Sequence, residues 1–133
     1  MNNLILYLSL IFLSSSLLAA ECSKEEAIES ESTAAYIKTW QELDSHFTKY
    51  GHCDDGAIAE GYSQSISFLM ETNWTEFLNY RMKITFSDFV KKHIDETWEA
   101  KRLKKVAALA QMNCNQNKKT ICDSILDLHS SNF

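Results

Sequence analysis

His52, Cys53, Asp54 and Asp55 stand side by side, four residue types that ligate metals or move protons, and Glu60 follows five positions after Asp55. Adjacent side chains point in different directions, whereas metal sites use spacings such as C-x-x-C or H-x-x-x-H. No metal is therefore expected at this run. Asp54, Asp55 and Glu60 are the only acids here that suggest the carboxylate pair of a glycosidase. The aspartates are better placed as helix caps and Glu60 as a solvated helix residue. Gly61-Tyr62-Ser63-Gln64-Ser65 resembles the nucleophile elbow G-x-S-x-G but lacks its last glycine. It also lies within a helical pattern, not at the strand-to-helix turn where that motif works. His93 falls on an apolar stripe, where a hydrogen-bonded buried histidine is commoner than a general base. His46 and His129 read as surface residues. The chain carries no haem-attachment, EF-hand or phosphate-loop spacing. No enzymatic activity and no cofactor are expected. His52, Asp54, Asp55 and Glu60 form the candidate functional surface, with His52 and Glu60 the two lacking any structural task.

All three glycines of the chain, Gly51, Gly56 and Gly61, fall in this same stretch. Gly51 follows Tyr50 where a glycine ends a helix, and Asp54 or Asp55 can cap the next one. That next helix carries a large stripe, Ile58, Tyr62, Ile66 and Leu69, beside a small one, Ala57, Gly61 and Ser65. A mid-helix glycine costs about 1 kcal/mol against alanine, so close approach of a neighbouring helix is its natural cause. Upstream, Ser23/Glu26 and Thr39/Glu42 have capping-box spacing. Trp40, Leu43, Phe47 and Tyr50 make a helical stripe, and a break is expected near Thr33 to Thr39. Downstream, Asn73, Thr85, Asp95 or Thr97, and Thr120 offer further caps. With no proline and no alternating pattern, the expectation is an all-α single domain of about five to six short helices.

Residues 1–20 have the anatomy of a secretory signal, an apolar run from Leu4 to Leu13 and a small-residue cleavage site at Ala20. The domain is then 21–133, with no membrane span after cleavage. Its four cysteines, Cys22, Cys53, Cys114 and Cys122, read as two disulfides in an oxidising compartment, with three connectivities open. Cys114 and Cys122 flank one helical corner and should pair locally, which leaves Cys22 for Cys53. A continuous helix from Ser23 to Tyr50 would hold its ends about 40 Å apart, too far for a bridge needing Cα atoms about 6 Å apart. The break near Thr39 makes that bridge feasible.

Residues 21–80 hold twelve acids against three bases, −9, and residues 81–105 eight bases against four acids, +4. Solvated faces account for this, but the asymmetry also suits a surface that steers a protein partner. A nucleic-acid partner is not expected from an acidic chain without a longer basic patch.

The stretch CDDGAIAEGYS, Cys53 to Ser63, resembles a block of small exported bacterial proteins of unassigned function, the likeness extending from Trp40 to Cys122. In size, export, acidity and disulfides the chain resembles, at the level of class, periplasmic immunity proteins of type VI secretion systems. Those are small, often helical inhibitors of cell-wall amidases, and no inhibitory motif carries over residue by residue. The resemblance implies an exported binding protein, periplasmic or else extracellular, whose partner is another protein. A small-ligand binder with a pocket among Trp40, Tyr62 and Trp74 is the alternative, and a small hydrolase the third reading.

Overall fold

Ser23 and Glu26 close the first capping box: Ser23 Oγ accepts from the Glu26 N–H at 3.2 Å, and Glu26 Oε2 accepts from the Ser23 N–H at 3.0 Å. Helix α1, Lys24–Ala34, runs from this cap. The second box, Thr39 with Glu42, starts α2, Trp40–Tyr50, so the break lies where the sequence puts it. The remaining helices of the computed structural model are α3 (Gly56–Thr72), α4 (Trp74–Asn79), α5 (Ile84–Lys92), α6 (Ala100–Asn113) and α7 (Lys119–Asn132). Residues 21–115 and 118–133 are described; the expected signal segment, 1–20, lies outside them. Among the described residues there are seven α-helices and no strand, an all-α fold. Both expected disulfides are present, Cys22–Cys53 and Cys114–Cys122.

Helix α3 runs through the centre, with Ile58, Tyr62, Ile66, Leu69 and Met70 buried. Its small stripe receives α1. A Cβ added to Gly61 would lie 2.9 Å from Ala34 Cβ and 3.1 Å from the Ala35 backbone nitrogen. Ser65 Oγ donates to the Ala34 carbonyl at 2.6 Å, completing that contact. Ala57, expected in the same stripe, is exposed; the contact begins one turn later. Gly51 is not the left-handed terminator expected, since its φ is −59° and the chain continues into a 3₁₀ turn, Gly51–Cys53. The left-handed glycine is Gly56, at φ +50°. On the other flank of α3, Glu71 accepts from Arg102 Nε at 2.8 Å and Lys105 Nζ at 2.5 Å, tying α6 to it.

Of the later helices, α4 starts behind its expected cap, Asn73, whereas α5, α6 and α7 begin away from theirs. Asn73 Nδ2 donates to the Lys38 carbonyl at 3.1 Å and leaves α4 without a side-chain cap. Asp95 accepts from Thr97 and Ser63, so α6 begins at Ala100, beyond both expected caps. Helix α5 starts one residue ahead of Thr85, and α7 one ahead of Thr120, where Lys118 Nζ donates to the Tyr80 carbonyl at 2.7 Å.

Candidate functional site

The four residues of the expected surface part company. Asp54 turns inward: its Oδ2 accepts from Lys92 Nζ at 2.7 Å and from His93 Nε2 at 3.0 Å. The other ring nitrogen of His93, Nδ1, is 3.0 Å from Ser63 Oγ, and Ser63 donates to Asp95 Oδ2 at 2.7 Å. Burial opposes ionisation of Asp54, but the hydrogen bonds from His93 and Lys92 outweigh it and its carboxyl titrates below the ordinary value. Serine, histidine and aspartate in one chain of hydrogen bonds have the composition of a hydrolytic triad. Their setting is different. Ser63 and His93 are each only 2 % exposed, and the Ser63 hydroxyl faces two acceptors besides, Asp95 Oδ2 at 2.7 Å and the Ala59 carbonyl at 3.2 Å. His93 Nε2 faces the Asp54 carboxylate and donates to it. The cluster is a charge-assisted brace joining the glycine corner to the α5–α6 connection, with no open path to Ser63.

His52 Nε2 lies 3.4 Å from Glu26 Oε1. Glu26, His52 and Cys53 bring potential ligand atoms within 4.8 Å of one another, but Cys53 Sγ is bonded to Cys22 and is not available to a metal. Asp55 caps α3, accepting from the Gly56 N–H at 2.8 Å. Glu60 stands apart, exposed on a shallow cleft shared with Gln64, Thr97 and Arg102.

A second site was not visible in the sequence. Helices α1 and α2 splay into an open groove of about 860 Å³ whose walls include Glu29, Tyr36, His46, Lys49 and Tyr50. His46, expected on the surface, is half-buried in it. Thr33 Oγ1 donates to the Glu29 carbonyl at 2.8 Å, so it accepts from His46 Nε2, also at 2.8 Å. His46 Nδ1 is then the acceptor for the Tyr62 hydroxyl at 2.7 Å. The ring is thus neutral; burial, then the charge of Lys49, pushes its pKa down. Burial pushes Tyr62 up to about 12. The signal for His46 was present: it lies three residues after Leu43 and four before Tyr50, on the stripe that packs inward.

At the rim, Lys49 Nζ meets Glu29 Oε1 at 3.1 Å. The Tyr50 hydroxyl is close enough, with Lys49, to hold Glu29 below the usual carboxylate range. That hydroxyl is buried and meets no described partner at good hydrogen-bond geometry. Tyr36 stands at the apex of the groove, 70 % exposed.

No family model, curated protein or solved structure matches the chain. Two disulfides are those of a chain matured in an oxidising, exported setting. No described helix is long and apolar enough to cross a membrane.

Proposed function

We propose that this chain is a periplasmic binding protein that seats a segment of another protein in the α1–α2 groove, acting as an immunity-type inhibitor of a cell-wall-targeting toxin. The observation that carries this reading is the groove itself. It is open and about 860 Å³, and it presents an exposed aromatic and a solvent-exposed ion pair. Exposed tyrosines anchor protein interfaces because a large ring is immobilised at small entropic cost. The hydrolase reading is weakened by the burial of Ser63 and His93. The small-ligand reading asks for space among Trp40, Tyr62 and Trp74. All three are buried, and Phe77 packs against both tryptophans at ring-centre distances of 5.4 and 5.1 Å.

The test is stoichiometric inhibition of purified cell-wall amidase toxins by the chain from residue 21 onward. Inhibition of at least one toxin is expected, and Tyr36→Asp should weaken it by about tenfold or more while leaving the helical signal unchanged. If no toxin is inhibited and a photo-crosslinker at position 36 captures no more partner than one at exposed Met112, the reading falls.

A further inference from the structure

Two lysines line the groove: Lys38, whose ammonium sits over the Phe68 ring at 4.3 Å, and Lys49. Lys49 is the one paired within it. Its ammonium lies 3.1 Å from Glu29 Oε1 and 4.5 Å from the centre of the Tyr50 ring, so a carboxylate and an aromatic face hold one positive charge together. Both members of the ion pair are more than half exposed, so water competes with it and little keeps it shut. Beside it the buried Tyr50 hydroxyl lies near Glu29 and Lys49 but meets neither at good hydrogen-bond geometry. Behind it His46, in the tautomer its hydrogen bonds select, adds no positive charge. Tyr36 offers a second, exposed ring at the apex. The lining itself is balanced, Glu29 and Glu42 against Lys38 and Lys49, and it is set in the half of the chain that carries −9.

The geometry points to a cation-receiving groove: the partner segment presents an arginine or lysine side chain that displaces Lys49 from Glu29 and takes its place against Tyr50. This rests on the groove being the binding face proposed above. A guanidinium suits the place better than the resident ammonium. Its fork can give two hydrogen bonds to Glu29 and has further donors for the Tyr50 oxygen. An acidic segment would have to approach against the field of the −9 half.

Lys49 is therefore a competitor, and this makes the inference separable from simple loss of an ion pair. Glu29→Gln and Lys49→Ala break the same exposed contact and should affect stability alike, but they should affect cation binding in opposite directions. The probe is an acetylated hexa-arginine peptide titrated into the isotopically labelled chain, with amide shifts read by NMR and hexaglutamate as control. Shifts should cluster between residues 29 and 50, with affinity about tenfold lower in Glu29→Gln and several-fold higher in Lys49→Ala. Equal affinity in Glu29→Gln and wild type overturns the inference, as does no gain in Lys49→Ala or occupation of the groove by hexaglutamate. The probe needs no natural partner, so its failure leaves the toxin assay with Tyr36→Asp to judge the groove separately.

Discussion

Asp54 shows how far a side chain's role can lie from its neighbours in sequence. It sits beside Cys53 and Asp55, and its partners are Lys92 and His93, thirty-eight and thirty-nine residues away. Nothing in local spacing announces that meeting, and the link from Ser63 to His93 is equally non-local. His93 was legible as a buried histidine because its stripe is apolar; what satisfies it was not. Asp54→Asn keeps the shape but removes the negative charge that pairs with Lys92 and accepts from His93, and should cost about 2 kcal/mol at neutral pH. The pH dependence has a definite sign. The folded carboxyl titrates below its ordinary value of 3.8, so its contribution is complete above that value and is lost as pH falls through the folded pKa. Urea unfolding at pH 7 and pH 3 should show the gap between the two proteins narrowing in acid. A constant gap would mean that Asp54 carries no charge-dependent stabilisation.

Helix α1 poses the opposite problem: an element that its own sequence barely supports. It buries only Ser30 and Ala34, and a helix polar nearly all round gains little by docking through apolar area alone. Three devices hold it: the capping box at its start, the bridge from Cys22, and the bare backbone of Gly61 with the Ser65 hydroxyl beside it. All three were legible, because a capping spacing, a cysteine count and a mid-helix glycine are local signals. The start of α4 behind Asn73 was legible too, though not that its side chain turns to Lys38; where α5, α6 and α7 begin was not, because Asp95 is drawn to Ser63 and the starts of α5 and α7 carry no side-chain cap. Gly61→Leu forces a side chain into the Ala34 contact and should destabilise by about 3 kcal/mol. Denaturant midpoints check this. A variant as stable as the wild type would show that α1 does not rest on that stripe. The same helix supplies one wall of the groove, so a loosened α1 should also weaken whatever the groove holds.

Across the whole molecule, the fold class, the early helix break and both disulfides follow from the chain read in order, whereas the groove arises from the angle between two helices and has no sequence signature. The two bridges should differ in worth. Cys22–Cys53 spans 31 residues and Cys114–Cys122 only 8; in the chain-entropy model their removal costs about 3.7 and about 2.6 kcal/mol. Paired cysteine-to-serine variants, compared by thermal and urea unfolding, should rank in that order, and the reverse ranking would place the main constraint at the C-terminal corner. Each bridge also joins cysteines that are consecutive in the chain. An oxidant that couples thiols in the order in which they reach the oxidising compartment, N-terminal first, therefore makes the native pairs first. Neither bond has to be broken and remade, so maturation of this protein calls for a disulfide donor but not for an isomerase.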